Sequence, residues 1–223
     1  MRRLLIALLF LAAPLSAAPP DLIVVLVIDQ FPQEYIERFA PHFVPGGFRQ
    51  LMTEGAYYPQ AWYPFATTYT CPGHATIGTG RLPSEHGIIA NEWFDDENDR
   101  TVYCVDDARA RGTAGSAGAY SPVLLGTDSL GDRLQERTPA SKVIGIGLKD
   151  RSGILMAGRK GDAAYWFDDD LPAFVSSSYY QFNPRVLDFN ERLESFIAAN
   201  PRWEPLQDVA GGAVRTDDPP ELR

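Results

Sequence analysis

The chain has few histidines, few cysteines and no clustered run of basic residues. Its 223 residues include 3 His and 2 Cys, and 20 Lys and Arg stand against 29 Asp and Glu. A basic stripe is the usual footprint of nucleic-acid binding, so the acidic balance argues against nucleic acid as a partner. The sequence also contains no internal repeat. Its hydrophobic content of 45% is enough for a buried core in one or at most two domains.

A long apolar run stands at the N-terminus, where residues 4–15 follow two arginines and precede Ser16-Ala17-Ala18. This order of basic, apolar and small residues predicts a secretory signal peptide over residues 1–18 and a mature chain over 19–223. The run is too short for a good membrane span, and no cysteine follows it to accept a lipid. We therefore expect a periplasmic or secreted protein with no membrane anchor.

The two cysteines, Cys71 and Cys104, would both remain in the exported chain. An oxidising compartment favours pairing them. One disulfide is therefore expected, and closing a loop of about 34 residues would contribute about 3–4 kcal/mol in the chain-entropy model. The alternative is a reactive Cys71, which would need an environment that lowers the pKa of its thiol.

Two apolar runs predict buried strands, one over residues 21–29 that ends in Asp29 and one over 142–148. A helix over 129–137, capped by Thr127 or Asp128, is predicted between them. Strand, helix and strand in this order predict an α/β fold with a mostly parallel sheet sandwiched by helices. Asp29 is then either a metal or substrate residue at a strand end or an ordinary helix cap. Further helices are predicted at 32–39, 48–52 and 184–199, and extended segments at 56–62 and 164–167.

Residues 64–80 predict a turn that leads into a helix with Thr70 as its N-cap, two residues before Pro72. Unpaired N–H groups and the helix dipole make such a start a site for anions, so Thr70 is either a cap or a nucleophile. On this motif alone the cap is favoured. His74 and His86 are expected to be hydrogen-bonded structural groups rather than metal ligands.

Charged residues at the predicted strand ends are complementary parts for phosphoryl transfer. Asp29 would hold a divalent metal that lowers the pKa of the Thr70 hydroxyl, and Lys149 and Arg151 would bind the phosphoryl oxygens. Each part also has a structural alternative. Lys149 and Arg151 would otherwise be a solvated strand end, and Asn91 an ordinary turn residue.

Taken together, the motifs resemble the alkaline phosphatase superfamily. More narrowly, they are similar to bacterial alkaline phosphatases that use a threonine nucleophile and are related to type I phosphodiesterases and nucleotide pyrophosphatases. The resemblance covers most of residues 21–200. It rests on Asp29 after a valine-rich run, Thr70-Cys71-Pro72-Gly73-His74, Thr79-Gly80, Pro83-Ser84-x-His86-Gly87-Ile88, Asn91-x-Trp93 and Lys149-Asp150-Arg151.

The resemblance implies a role for each candidate residue. Asp29 would ligate a zinc ion, Thr70 would be the nucleophile and ligate the same ion, and Asn91, Lys149 and Arg151 would contact the phosphoryl group. It also implies a phospho-threonine intermediate, a small-molecule phosphate ester as substrate, and two zinc ions in the full-length enzyme. The Lys-x-Arg pair favours monoesters, since relatives that cleave diesters generally lack it.

The sequence departs from this family in its metal ligands. Such enzymes complete a two-zinc site with an Asp-x-x-x-His pair, an Asp-His-Gly and one further His, and this sequence contains none of these in matching positions. We therefore expect the N-terminal portion of an alkaline phosphatase-like domain whose C-terminal half is missing. As alternatives there remain a phosphodiesterase of the same superfamily and a non-catalytic, anion-binding fragment.

Overall fold

The computed structural model describes residues 20–202, so the predicted signal peptide and residues 203–223 lie outside the described part of the chain. Helices and short strands alternate, which confirms the α/β class. None of the helices within residues 20–202 is long and apolar enough to cross a membrane. The helices are α1 (Glu34–Phe39), α2 (Phe48–Glu54), α3 (Thr70–Thr79), α4 (Pro83–His86), α5 (Leu130–Arg137), α6 (Asp150–Ala157) and α7 (Arg185–Ala199), with a 3-10 turn at Ala40–His42. The strands are β1 (Glu92–Asp95), β2 (Arg100–Tyr103), β3 (Ile144–Gly147), β4 (Ala163–Asp168) and β5 (Ala173–Val175).

The strands form two separate sheets. β3 and β4 are parallel, with Ile144 opposite Ala163, and β5 pairs antiparallel with the other side of β4, with Trp166 opposite Val175. Parallel neighbours need a crossover connection, and α6 provides it between β3 and β4. β1 and β2 form a two-stranded antiparallel hairpin. The helices predicted at 32–39, 48–52 and 184–199 are confirmed as α1, α2 and α7, and the extended segment at 164–167 as β4.

The core lies where α3 and α6 pack together and against β4. Its buried members include Ala75, Leu155 and Trp166. Gly78 brings α3 close to α6, because a Cβ at this position would lie 2.9 Å from the Leu155 carbonyl oxygen. This packing fixes the direction of α3, and therefore the position of Thr70 at its start.

The two faces of β3 differ, as strand alternation requires. Gly145 faces α6, where an added Cβ would lie 2.0 Å from the Gly153 carbonyl oxygen. Ile144 and Ile146 alternate to the other side and are 58% and 69% exposed. The prediction of a strand here is confirmed, but its expected burial holds for the glycine face alone. No described residue covers the isoleucine face.

The prediction of a strand over residues 21–29 is wrong for the described structure. The run forms no ladder with another strand within residues 20–202, and Leu22, Val24 and Leu26 are each at least 75% exposed. An apolar run becomes a central strand only where neighbouring strands pair with it and other layers cover it. The described part of the chain supplies neither. Residues 56–62, predicted to be extended, likewise form no strand.

α5 begins one residue later than its predicted caps suggest, because Ser129 is the N-cap rather than Thr127 or Asp128. The Ser129 hydroxyl accepts from the Asp132 N–H at 3.1 Å, and the Asp132 carboxylate accepts from the Ser129 N–H at 2.7 Å. This reciprocal pair satisfies two N–H groups at the helix start. Both residues are buried, so the cap is closed to solvent.

His86 is fully buried at the end of α4 and links this helix to α3. Its Nδ1 accepts from the Ile88 N–H at 3.1 Å, so the ring proton lies on Nε2, which donates to the Thr76 hydroxyl at 3.1 Å. Burial lowers the pKa of His86 below its ordinary value of 6.5, although the neighbouring Glu85 opposes this. The structural role expected for His86 is therefore confirmed.

We expect His86→Gln to flatten the dependence of the free energy of unfolding on pH. Below about pH 6.5, the unfolded wild-type chain binds a proton that the buried imidazole does not bind. The free energy of unfolding therefore falls as the pH falls below this value. Urea unfolding across the window measures the slope. His42→Gln, at an exposed histidine, is the control and should keep the wild-type slope. Equal slopes for His86→Gln and the wild type would contradict this account.

Candidate active site

Thr70 is the first residue of α3, one position later than its predicted place as the N-cap. The N-cap is Tyr69, whose side chain makes no capping hydrogen bond. The Thr70 hydroxyl does not cap the helix either, but donates to Asp29 Oδ2 at 3.3 Å. It therefore lies at the positive end of a ten-residue helix, facing an acid rather than its own backbone.

Asp29 connects this hydroxyl to a cation from a distant part of the chain. The same Oδ2 atom accepts from Thr70 and from Lys149 Nζ, at 3.3 and 2.9 Å. Burial opposes ionisation of Asp29, but the hydrogen bond and the charge of Lys149 outweigh it and hold the pKa of this carboxyl below its ordinary value of 3.8. Asp29 is thus ionised at neutral pH, as a metal ligand must be.

Asn91 is held by both ends of the disulfide. Its Oδ1 accepts from the Cys71 N–H at 2.9 Å, and its backbone carbonyl accepts from the Cys104 N–H at 3.0 Å. Cys71 and Cys104 form the predicted disulfide, and both are fully buried. Because Cys71 follows Thr70 directly, the amide of Asn91 lies beside the start of α3. Within residues 20–202 its Nδ2 group has no partner and is available as a donor.

Arg151 lies in the first turn of α6, two residues after Lys149, which is the N-cap of this helix. Its Nη1 donates to the Tyr103 hydroxyl at 2.7 Å, and that hydroxyl donates to Asp150 Oδ1 at 2.5 Å. Arg151 Nε is buried and has no partner among the described residues. Nη2 also has no partner among the described residues, and the side chain is 21% exposed, so Nη2 rather than the enclosed Nε is the donor that a group from solvent could meet.

The structure brings together most of the residues predicted for the site. Asp29, Thr70 and Lys149 are in direct contact, and Asn91 is bonded to the residue that follows Thr70. Arg151 forms no bond to this group. Arg151 is connected to this group only because it follows Lys149 by two residues, and its side chain is held by a hydrogen bond to Tyr103.

Sequence reasoning missed the two residues that fix Arg151. Asp150 stands inside the Lys-x-Arg motif, where an acid between two cations could have been recognised as their partner. Tyr103 carries no such signal, because it lies 48 positions from Arg151 along the chain. Only the fold brings the end of β2 next to the start of α6.

The described residues alone do not complete a metal site. No group of three or more His, Cys, Asp or Glu side chains within residues 20–202 is placed to hold a metal ion. Asp29 and Thr70 would offer two oxygen ligands, whereas a catalytic zinc ion normally takes three from the protein. His74 donates from Nδ1 to the Thr70 carbonyl at 2.8 Å, so the hydrogen bonding expected of it is present.

Comparison with protein families places residues 23–217 in the family described as type I phosphodiesterase / nucleotide pyrophosphatase. The chain belongs to this family. Its relatives also confirm the predicted membership of the alkaline phosphatase superfamily, of whose proteins the chain represents the N-terminal part.

Several of these relatives are bacterial alkaline phosphatases. The chain is 40% identical over 182 residues to alkaline phosphatase PhoV of Synechococcus elongatus, covering 79% of this chain and 33% of the relative. It is 37% identical over 199 residues to alkaline phosphatase PafA of Elizabethkingia meningoseptica, covering 86% and 36%. The crystal structure of wild-type PafA superimposes with a TM-score of 0.76 at 34% identity, over 81% of this chain and 36% of that one. The chain thus spans about a third of the length of these relatives.

We expect loss of the disulfide to destabilise the protein. Cys104→Ala should lower the free energy of unfolding by about 2–4 kcal/mol, because the cross-link restricts the unfolded chain. Urea unfolding measures the change, and alkylation of the unreduced protein followed by mass spectrometry should detect no free thiol in the wild type.

The double variant Cys71→Ala with Cys104→Ala is the matched control. It should be about as stable as the single variant, since either change removes the same bond. Two alkylated cysteines in the wild-type protein, or a single variant as stable as the wild type, would show that the disulfide does not form.

Proposed function

We propose that this chain carries the nucleophile and the phosphoryl-binding residues of an exported, zinc-dependent phosphomonoesterase, an alkaline phosphatase. The observation that carries the proposal is the contact of Thr70, at the start of α3, with Asp29, whose other partner is Lys149. A hydroxyl nucleophile, an acid able to hold a metal and a cation, all at the positive end of a helix, suit phosphoryl transfer. Membership of a phosphodiesterase family with alkaline phosphatase relatives supports the same reaction.

In the proposed reaction, Thr70 Oγ1 attacks the phosphorus atom while the bond from phosphorus to the ester oxygen breaks and the alcohol leaves. Water then attacks the phospho-threonine, the bond from phosphorus to Oγ1 breaks, and inorganic phosphate is released. Asp29 and Thr70 would together ligate one zinc ion. When bound there, zinc would supply the positive charge that lowers the pKa of the attacking hydroxyl.

The phosphoryl oxygens would be held by donors from three elements. Asn91 offers the Nδ2 group, since its Oδ1 is already bonded to the start of α3. Lys149 lies within hydrogen-bond distance of the carboxylate that also holds Thr70, so its ammonium group would lie near a phosphoryl group attacked by Thr70. Arg151 would offer its Nη2 group, which has no hydrogen bond to any described residue, on a side chain that is 21% exposed. Together they would balance the charge of a phosphate dianion.

A variant of a relative supports these assignments. PafA has also been crystallised with one threonine, one asparagine, one lysine and one arginine substituted. In that protein the threonine and asparagine are 21 positions apart and the lysine and arginine two positions apart. Thr70 and Asn91, and Lys149 and Arg151, have the same spacings in this chain.

A phosphodiesterase is the second candidate, because the family description names type I phosphodiesterases. The charge of the site favours the monoesterase. A monoester carries one more negative charge than a diester, and the cations Lys149 and Arg151 would both meet it. The second ester group of a diester would instead need an apolar pocket.

The remaining metal ligands are proposed to lie outside residues 20–202. One zinc ion with two protein ligands is not a stable site, and the mechanism of the family uses a second ion opposite the first. The matched relatives are about three times as long as the region they share with this chain, so they have room for such ligands.

In the full-length protein, we expect Thr70→Ala to remove covalent catalysis, because no other hydroxyl replaces the nucleophile. Lys149→Ala and Arg151→Ala should reduce kcat/KM for a chromogenic phosphomonoester at least about tenfold more than for the matching diester, since only the monoester carries the extra charge. Lys142→Ala, which removes an exposed lysine paired with Asp162, is the control and should change neither. Equal losses on both esters would show that the pair does not read the charge of a monoester.

The chain of residues 19–223 alone is expected neither to bind zinc tightly nor to turn over a phosphate ester. Asp29 and Thr70 supply too few ligands, and without the metal Thr70 keeps an ordinary hydroxyl. Calorimetric zinc titration and a phosphomonoester assay on this chain provide the measurement. Stoichiometric zinc binding together with turnover that Thr70→Ala abolishes would mean that the chain contains a complete site.

A further inference from the structure

We propose that Tyr103 is a positioning residue that, together with Asp150, holds the guanidinium group of Arg151 in place for the phosphoryl group. The inference rests on the proposed function, because it assigns Arg151 to substrate binding. It concerns a part of the site that the sequence pattern did not mark.

The hydroxyl of Tyr103 lies between two groups of opposite charge. It accepts from Arg151 Nη1 at 2.7 Å and donates to Asp150 Oδ1 at 2.5 Å. The same Oδ1 also accepts from the backbone N–H of Arg151. These bonds close a ring from the guanidinium through the tyrosine and the acid back to the Arg151 backbone. This closed set of hydrogen bonds restricts the rotamers of the Arg151 side chain, which is otherwise long and flexible.

The carboxylate and the guanidinium group form an ion pair but no direct side-chain hydrogen bond. Asp150 Oδ1 and Arg151 Nη1 are 3.9 Å apart, although the residues are adjacent in sequence. A direct two-point pair would use two donors of the guanidinium. With Tyr103 between them, the guanidinium group is held through Nη1 alone, and Nη2, on a side chain that is 21% exposed, has no partner among the described residues. This donor therefore remains available for an oxygen of the substrate.

Tyr103 is itself fixed from several sides. Its backbone N–H donates to Asp106 Oδ2 at 2.9 Å, and its ring meets the ring of Tyr120 edge to face at 5.5 Å. The next residue, Cys104, is anchored by the disulfide. Burial, and then the charge of Asp150, raise the pKa of Tyr103 far above its ordinary value of 10.0. The hydroxyl therefore keeps its proton and remains a donor to Asp150 at alkaline pH.

Restraint of Arg151 should matter more for a substrate that carries more negative charge. An arginine held in one orientation meets a charged phosphoryl oxygen without first losing rotamer freedom, whereas a mobile arginine must be ordered during binding. Since Arg151 is proposed to read the extra charge of a monoester, loosening it should affect monoesters more than diesters. Removal of the Tyr103 hydroxyl should therefore have the same selective effect on monoester turnover as loss of Arg151, but a smaller one.

The first experiment measures kcat/KM of the full-length protein on a chromogenic phosphomonoester and its matching diester. Tyr103→Phe should lower the monoester value about tenfold and the diester value less than about twofold, as expected for a misplaced binding group. In the Arg151→Ala background, Tyr103→Phe should cause no further loss on the monoester. Tyr120→Phe is the matched control, because it removes a hydroxyl from the ring packed on Tyr103 and should leave both values unchanged.

An unchanged monoester value for Tyr103→Phe would overturn the inference, and so would an equal loss with and without Arg151. Failure of the proposed function has a different signature, namely turnover of the phosphomonoester that survives Thr70→Ala.

A second measurement does not depend on turnover. In the chain of residues 19–223, nitrogen-15 NMR should show the Nε–H of Arg151 exchanging at least about tenfold faster with solvent in Tyr103→Phe, because the ring of hydrogen bonds that holds the guanidinium is broken. Tyr120→Phe should keep the wild-type rate. Equal exchange rates in the wild type and Tyr103→Phe would show that Tyr103 does not restrain the arginine, whether or not the protein is a phosphatase.

Discussion

The close packing of α3 against α6 is the constraint on which the site depends. Small residues such as Gly78 let the two helices approach so closely that an added Cβ there would lie 2.9 Å from the Leu155 carbonyl oxygen. α3 begins at Thr70 and α6 at Asp150, and the contact of Asp29 with both Thr70 and Lys149 shows that these starts lie side by side. Two positive helix ends therefore converge on one place. Under the proposed function, this convergence of two helix starts would favour an anion at that place.

The ion pair between Asp29 and Lys149 forms because the two helix starts converge, and it does not cause that convergence. Both side chains keep roughly a third of their surface in water, 32% and 40%, and pairs of this kind contribute about 0–1 kcal/mol. The apolar contacts in the buried interface between α3, α6 and β4 contribute more to stability than this ion pair does. The disulfide adds a second restraint, since it ties the start of α3 to the end of β2 and holds Asn91 between them. Rigid packing and a cross-link thus place the polar groups, whose own attraction is weak.

Local signals in the sequence predicted the disulfide and five of the helices, α1, α2, α3, α5 and α7, whereas no helix was predicted at α4 or α6. Pro72 and Gly80 mark the ends of α3, and β4 was recognisable from the aromatic and small residues at 164–167. The cap of α3 was misplaced by one residue because Thr70 has the chemistry of a cap, while Asp29, remote in sequence, takes its hydroxyl instead. Tyr103 was missed for a related reason. Its role depends on β2 lying beside α6, and no local pattern encodes that contact.

The run over residues 21–29 failed as a predicted strand for a different reason. Its composition is that of a central strand, yet a strand exists only through pairing, and within residues 20–202 nothing pairs with it. The isoleucine face of β3 is uncovered in the same part of the chain. Asp29, which ends the run, also lacks the further ligands that a zinc ion would need. These three features have one physical explanation under the proposed function. A sheet and a metal site that share an edge would be completed together by polypeptide outside the described residues, and the exposed apolar surface and the missing ligands beside Asp29 would then have the same cause.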